Sequence, residues 1–259
     1  MYETKDITCV VTGGAQGIGL AIVENFLVNG AKHVIILDYN EEEGNKVVKE
    51  LQNKYSGDCV FIRCDITRDL DSVYSELIKK YKHIDVFVNN AGISDTDNPR
   101  RTMNVNAVSL IEWTFKVYED MRIDKGGKGG TIINIASILG YENTPILPTY
   151  QASKHAVIGF TKSLGHEVNY NQTGVRVVAI CPGMTTTNLE RNSNEKRSDT
   201  LTRMLLEKLI TQEPDNVGKG TLDVYKNAES GTFWLVEQSQ PPLKVNLEVK
   251  FGSSGNSIV

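Results

Sequence analysis

Tyr150 and Lys154 are the side chains of this sequence best suited to proton transfer. On a helix, residues four apart lie on the same face, and of the ten tyrosines only Tyr150 has a lysine four residues later. A phenol with a pKa of about 10 is a weak base at neutral pH, but a neighbouring ammonium favours the phenolate. Ser137 ends a predicted strand, where ligands bind in open α/β sheets. The alternative is an exposed helix pair without a chemical role.

A glycine-rich turn follows the first apolar run of the chain. The segment Thr12–Gly19 reads T-G-G-A-Q-G-I-G and leads into a helical pattern. Glycines in such a turn let backbone N–H groups and the positive end of the helix approach a phosphate. The alternative is a tight turn without a ligand. A pyrophosphate site would use Gly13, Gln16, Gly17, Ile18 and Gly19.

Asp38 ends the second predicted strand, about 20 residues beyond the glycines, where a carboxylate binds the ribose hydroxyls of a dinucleotide. Its charge would repel the 2′-phosphate of NADP. Neither Gly14–Gln16 nor Tyr39-Asn40 contains the Lys or Arg that such a phosphate requires. We therefore expect NAD as the cofactor, in contact with Asp38 and Tyr39.

The ends of the next two predicted strands add further cofactor-binding candidates. Asp65 and Ile66 end the third strand, where the adenine ring would lie. Asn89, Ala91 and Gly92 follow the fourth strand and lie beside the glycine turn. Their small and amide side chains either lock adjacent strands together or line the cofactor.

The elements that position these residues alternate along the whole chain. Short β-branched runs are separated by stretches with apolar residues at i, i+4 and i+8, such as Ile18, Ile22 and Phe26. This pattern is typical of a doubly wound, Rossmann-type parallel sheet with helices on both faces, and no linker divides residues 1–259. The seven predicted strands are Ile7–Thr12, His33–Asp38, Cys59–Asp65, Ile84–Asn89, Thr131–Ser137, Val175–Cys181 and Thr232–Glu237.

Two regions interrupt the alternation. Residues 184–212 are polar at first and then carry Leu201, Met204, Leu205 and Leu209 at helical spacing, which predicts a lid with an amphipathic helix. Residues 240–259 form a predicted arm, in which Lys244–Phe251 alternates apolar and polar residues like a half-buried strand.

Composition excludes several classes of partner. The 259 residues carry 28 Lys+Arg and 32 Asp+Glu, a net charge of −4, without a basic patch for nucleic acid. No apolar stretch approaches the roughly 18 residues of a membrane span, and the first residues do not resemble a signal peptide, so we expect a cytoplasmic protein. The cysteines and histidines lack the spacing of a metal site, and none is expected.

Five motifs, in order over nearly the full length, resemble the short-chain dehydrogenase/reductase family. They most resemble the branch of NAD-dependent 15-hydroxyprostaglandin dehydrogenases and insect-type alcohol dehydrogenases. One departure is Leu147, where the prostaglandin enzymes would be expected to have glutamine. The motifs are Thr12–Gly19, Asn89–Gly92, Asn106, the set Ser137, Tyr150 and Lys154, and Pro182-Gly183.

The resemblance implies hydride transfer between a secondary alcohol and NAD. Tyr150 would take the hydroxyl proton, Lys154 would lower the pKa of Tyr150 and hold the nicotinamide ribose, and Ser137 would bind the substrate oxygen. Asn106 would bend its helix and anchor a water. The nicotinamide would be wrapped by Pro182, Gly183, Thr185 and Thr187.

The residues that follow the catalytic strands are uncharged and predict a hydrophobic, prostaglandin- or lipid-like substrate. A small alcohol of the insect type is the alternative, and a sugar-nucleotide enzyme or a catalytically silent binding protein are rivals. The two long predicted helices, Leu110–Met121 and Ser153–Val168, would pair in a homodimer, as the family does. The predicted pocket contains Ser137, Ile138, Leu139, Tyr141, Ile146, Leu147, Tyr150, Met184 and Leu189, with Leu201, Met204 and Leu205 from the lid.

Overall fold

A parallel sheet forms the centre of the molecule in the computed structural model, which describes residues 1–187 and 210–246. Its order is β3-β2-β1-β4-β5-β6-β7, so the direction of winding reverses between β1 and β4, where ligands bind in such sheets. The parallel strands are β1 (Thr8–Thr12), β2 (His33–Asp38), β3 (Asp58–Arg63), β4 (Val86–Asn89), β5 (Gly130–Ile135), β6 (Val175–Pro182) and β7 (Phe233–Val236).

Helices cover both faces of the sheet. The helices of the described residues are α1 (Gly17–Val28), α2 (Glu41–Lys54), α3 (Leu70–Tyr81), α4 (Pro99–Met103), α5 (Ser109–Met121), α6 (Pro148–Leu164), α7 (Glu167–Thr173) and α8 (Pro214–Asn227). A π-helical turn, Asn104–Val108, joins α4 to α5, and single 3₁₀ turns occur at Ile123–Lys125 and Ile138–Gly140.

The period-two burial of the strands explains the layers. In β1, Val11 packs with Ile22 and Phe26 of α1, whereas its neighbour Val10 packs on the opposite face with Leu77 of α3. Side chains alternate across a strand, so β-branched residues buried on both sides favour a sheet covered twice. The predicted doubly wound α/β fold is confirmed.

The helix that carries Tyr150 and Lys154 differs from its predicted bounds. α6 begins at Pro148 rather than Ser153, because proline suits the first helical position, where its missing N–H costs no hydrogen bond. It ends before Gly165, where a side chain would approach the carbonyl oxygen of Val177 to 2.6 Å. Tyr150 consequently lies in the first turn of the helix.

An eighth strand extends the seven that the sequence predicted. β8 (Leu243–Lys244) pairs antiparallel with β7, and the N–H of Val245 donates to the carbonyl of Phe233 at 3.0 Å. Val245 also packs against the cluster that contains Phe233 and is contacted by Tyr141. The predicted arm therefore begins as a strand. Its later apolar residues, Leu247, Val249 and Phe251, lie outside the described residues, as does residue range 188–209 of the predicted lid.

We predict that Val245→Asp lowers Tm by about 2–8 °C, because it places a carboxylate among apolar side chains. Leu243→Asp is the matched control: Leu243 lies two residues earlier, in β8, and is 63% exposed, so its change in Tm stays within about 1 °C. Thermal unfolding followed by circular dichroism measures both variants. Equal effects of the two variants would show that Val245 does not anchor the arm.

Candidate active site

A cavity of about 1100 Å³ lies at the carboxyl edge of the sheet. Loops that follow β1 to β6 form its walls, which matches the position expected for a ligand of an open α/β sheet. The residues predicted for cofactor, substrate or catalysis that line it are Gly13, Gln16, Gly17, Ile18, Asp38, Tyr39, Asp65, Ile66, Ala91, Gly92, Ser137, Leu139, Leu147, Tyr150, Lys154, Pro182, Gly183, Met184, Thr185 and Thr187.

Three residues predicted for cofactor binding or catalysis do not line this cavity. A side chain on Gly19 would approach the carbonyl oxygen of Gly13 to 2.1 Å, so Gly19 serves the packing of α1 on the turn. The buried amide of Asn89 donates to Thr114 and to Asn134, both at 2.9 Å. Its placement at the cofactor is corrected, because this amide ties β4 to β5 and α5. Asn106 is also buried, and Leu189 lies outside the described residues.

The glycine turn is held open by hydrogen bonds from the neighbouring loop. The hydroxyl oxygen of Thr12 accepts from the N–H groups of Asn90 and Ala91 at 2.9 and 3.1 Å. The Asn90 amide donates to the carbonyls of Thr12 and Gly13 at 3.0 Å. Gly13 and Gly17 have φ of +63° and +55°, which glycine adopts without strain. The first turn of α1 carries no acidic residue, and Gly17 and Ile18 of this turn line the cavity.

Asp38 is fixed by the backbone of the same turn. One carboxylate oxygen accepts from the N–H of Ala15 at 3.2 Å and the other from the N–H of Asn40 at 3.1 Å. A carboxylate has about four acceptor positions, so lone pairs remain for a ligand. These two hydrogen bonds, together with the 5% exposure of Asp38, fix the orientation of its carboxylate.

The expectation that Asp38 has no basic neighbour is corrected by the strand register. Arg63 pairs with Asp38 across β2 and β3, and both Arg63 and Arg68 line the cavity. Sequence reasoning examined only residues close to Asp38 along the chain and therefore missed them. The signal was available, because Arg63 ends the third apolar run two residues before Asp65.

Ser137, Tyr150 and Lys154 meet at the floor of the cavity. The Ser137 hydroxyl lies close enough to the Tyr150 phenol to lower its pKa, and the Lys154 ammonium lies 5.6 Å from the centre of the Tyr150 ring. Lys154 also donates to the carbonyl of Ile135 at 2.8 Å. These contacts bring a hydroxyl, a phenol and an ammonium within one site.

Burial controls the titration of this set. It raises the pKa of Tyr150 to about 12, although the nearby Ser137 hydroxyl acts in the opposite direction. Burial lowers the pKa of Lys154 to about 8. The phenolate is therefore disfavoured by the chain alone, in contrast to the expected lowering by Lys154. A positive charge brought into the cavity would reverse part of this effect.

Asn106 lies in the π-helical turn before α5 and supports α6 through hydrogen bonds. Its amide accepts from the N–H of Ile93 and donates to the carbonyl of Ile93, both at 2.8 Å. It also donates to Ser153 at 3.1 Å, and the Ser153 hydroxyl donates to the carbonyl of Tyr150 at 2.6 Å. The sequence alone did not reveal Ile93 or Ser153, because their roles arise from contacts between distant segments.

The substrate end of the cavity has an apolar wall and a charged rim. Five residues of the predicted pocket form the apolar wall: Ile138, Leu139, Ile146, Leu147 and Met184. Tyr141 does not line the cavity; its ring packs 5.9 Å from that of Phe233. The expectation of a wholly uncharged lining is also wrong, since Glu142, Arg100 and Arg101 reach the same cavity.

The described residues contain no group of three or more His, Cys, Asp or Glu placed to hold a metal ion. Among the helices of residues 1–187 and 210–246, none combines the length and the apolar character needed to cross a membrane.

Comparison with known proteins agrees with this arrangement. Residues 8–198 match the model of the short chain dehydrogenase family. Rat 15-hydroxyprostaglandin dehydrogenase [NAD(+)] is 39% identical over 181 residues, which are 69% of this chain and 68% of the relative. Alcohol dehydrogenase 2 of Ceratitis capitata is 33% identical over 235 residues, 88% of this chain and 90% of the relative.

The solved structure of gox2181 has the same fold, with a TM-score of 0.79 at 24% identity over 91% of this chain and 95% of that one. The family match spans the glycine turn, Asp38, Asn106 and the Ser137, Tyr150 and Lys154 set in a single frame. The chain is a member of the short-chain dehydrogenase/reductase family of oxidoreductases.

Proposed function

We propose that this enzyme transfers a hydride between a hydrophobic secondary alcohol and NAD. The observation that carries the proposal is one cavity in which Ser137, Tyr150 and Lys154 face the same space as the glycine turn and Asp38. A dinucleotide bound along that turn would bring its reactive end to the phenol. The names of the rat and Ceratitis relatives, an NAD-dependent hydroxyprostaglandin dehydrogenase and an alcohol dehydrogenase, support the same reaction.

The residues at the cavity fit a nicotinamide dinucleotide. Gly13, Gly17 and Ile18 line the cavity at the positive end of α1, where a pyrophosphate would bind, and Asp38 offers free lone pairs to ribose hydroxyls. Asp65, Ile66 and Ala91 would border the adenine, and Pro182, Gly183, Thr185 and Thr187 the nicotinamide. When bound, the nicotinamide ring accepts the hydride from the carbinol carbon.

The side chains of the site divide the proton chemistry. Tyr150 takes the hydroxyl proton as the carbinol oxygen becomes a carbonyl oxygen, and Ser137 donates a hydrogen bond to that oxygen. Lys154 adds positive charge beside the phenol, which favours the phenolate, and binds the nicotinamide ribose. Asn106 and Ser153 hold the first turn of α6 in place. The Ile93 carbonyl, with its second lone pair, is the group that would hold the water expected near Asn106.

The apolar wall favours a hydrophobic substrate. Each buried methylene contributes about 0.8 kcal/mol, so Leu139, Leu147 and Met184 favour an alkyl chain. Leu147 stands where a prostaglandin dehydrogenase would be expected to have glutamine, which argues against a polar group of the substrate at that point. A short alcohol, as the name of the Ceratitis relative implies, is the second candidate.

A homodimer through α5 and α6 stays a prediction. It is supported by apolar side chains on the outer face of these helices: Phe115 is 48% exposed and Val108 43% exposed. Phe115 also packs edge to face on Phe160, with 5.4 Å between the ring centres. A second copy of the chain would cover this face.

The first test replaces Tyr150 by Phe. We expect kcat for alcohol oxidation to fall at least 1000-fold, because the proton acceptor is lost while the ring still packs; general base catalysis contributes about 10²–10⁴-fold. The Kd for NAD should stay within about threefold. Tyr141→Phe is the matched control, since Tyr141 lies outside the cavity, and should keep kcat within about threefold. Turnover of Tyr150→Phe within tenfold of wild type would reject the assignment.

The second test concerns cofactor preference. We expect kcat/KM to favour NAD over NADP by about 10- to 150-fold, because one charged hydrogen bond contributes about 1.5–3 kcal/mol. Asp38→Asn combined with Tyr39→Arg should reduce or reverse this preference. Arg63→Gln is the control for the basic residue beside Asp38. It should lower the remaining kcat/KM for NADP, while kcat/KM for NAD falls by no more than about threefold. Equal kcat/KM for both cofactors in the unmodified enzyme would contradict the proposal.

The third test identifies the substrate class with a series of 2-alkanols from propanol to dodecanol. With an apolar pocket, kcat/KM should rise about two- to fourfold for each added carbon until the wall is covered, since about 0.8 kcal/mol per methylene is an upper bound on the gain. Leu147→Gln should flatten the slope. A steady fall beyond four or five carbons would favour the small-alcohol enzyme. NAD binding without turnover of any alcohol would favour a binding protein.

A further inference from the structure

Gln212 lies outside every motif of the sequence analysis, yet it joins three segments at the nicotinamide end of the cavity. Its backbone N–H donates to the carbonyl of Met184 and its carbonyl accepts from the N–H of Thr186, both at 2.9 Å. Its side-chain nitrogen donates to the carbonyl of Val236 at 2.8 Å. The residue is 4% exposed, so these hydrogen bonds form away from solvent.

The orientation of the Gln212 amide is fixed by its partner on β7. The Val236 carbonyl can only accept a hydrogen bond, and it also receives the N–H of Gly183 at 3.0 Å. A flipped amide would set two acceptor oxygens against each other. The side-chain oxygen of Gln212, Oε1, is buried and has no hydrogen-bond partner among the described residues. The polar contacts of this side chain therefore run through its nitrogen.

The same nitrogen donates to the hydroxyl of Thr185 through a long contact of 3.4 Å. The Thr185 hydroxyl spends its single hydrogen on the carbonyl of Gly183 at 2.9 Å. A hydroxyl has one donor and two acceptor positions. With its hydrogen used and one lone pair facing Gln212, Thr185 keeps one acceptor position. Thr185 is 6% exposed and lines the cavity, so a ligand there is the partner that we infer for this position.

We propose that Gln212 is a positioning residue that holds the Thr185 hydroxyl as a hydrogen-bond acceptor for the carboxamide N–H of NAD. The inference rests on the proposed function, because it requires the nicotinamide end of the cofactor to lie beside Met184–Thr187. Thr187 of this segment also packs against Gly17 of the glycine turn: a side chain added there would lie 3.3 Å from its methyl group. Gln212 therefore acts on cofactor recognition through Thr185 and does not touch the reacting atoms.

The test compares three ligands by isothermal titration: NAD, its 3-acetylpyridine analogue, which lacks the carboxamide N–H, and ADP-ribose, which lacks the whole ring. In Gln212→Met and Thr185→Val we expect the Kd of NAD to rise about three- to tenfold, the range of one neutral hydrogen bond. The Kd of ADP-ribose should stay within twofold. The preference of wild type for NAD over the analogue should shrink in both variants.

A double variant distinguishes an effect of Gln212 through Thr185 from a general stabilising role of Gln212. If Gln212 acts through Thr185, Thr185→Val with Gln212→Met should bind NAD no more weakly than Thr185→Val alone. Gln212→Glu, which replaces the donor by an acceptor, should weaken NAD at least as much as Gln212→Met. Equal weakening of NAD and ADP-ribose, or no weakening of either, would overturn the inference. Wild type that binds ADP-ribose but not NAD would instead reject the proposed function, and the inference with it.

Discussion

The hydrogen bonds between Thr12 and the Asn90-Ala91 turn are the constraint on which the site depends. They join the loop after β1 to the loop after β4, the two strands between which the winding reverses. One side of this junction carries the glycine turn and Asp38, and the other leads through β4 and β5 to Ser137. The pairing of β1 with β4 places the two halves of the site side by side, and these hydrogen bonds fix the loops that follow the two strands. Asn89 acts in a similar way inside the sheet, where its buried amide connects β4 to β5.

Sequence reasoning succeeded where chemistry depends on spacing along one element. The glycine turn, Asp38 and the Tyr150–Lys154 pair are of this kind, and all of them line the cavity. It failed where a role depends on pairing between segments. Arg63 approaches Asp38 through strand register, and no local pattern specifies that register. Asn89 resembled a cofactor ligand because its motif faces the cavity, whereas its own side chain points into the sheet.

Burial opposes the protonation states that the proposed proton transfer requires. The same apolar surroundings that exclude water and favour an alkyl substrate raise the pKa of Tyr150 and lower that of Lys154, so both groups tend towards their neutral forms. A neutral phenol and a weakly basic amine are not in the forms that the proposed proton transfer requires. Entry of a positively charged ring would shift the phenol towards its base form, which links proton removal to cofactor occupancy.

The π-helical turn Asn104–Val108 has a consequence for chain length. Each residue of an α-helix advances about 100° around the axis, whereas the wide turn takes up one extra residue with little change in the phase between α4 and α5. Deleting one residue here would restore a regular helix and leave that phase nearly unchanged, but it would shift the residues inside the turn. Trp113 could remain in the core while Asn106 turned away from Ile93. Along this helix the number of residues is therefore as constrained as their identity.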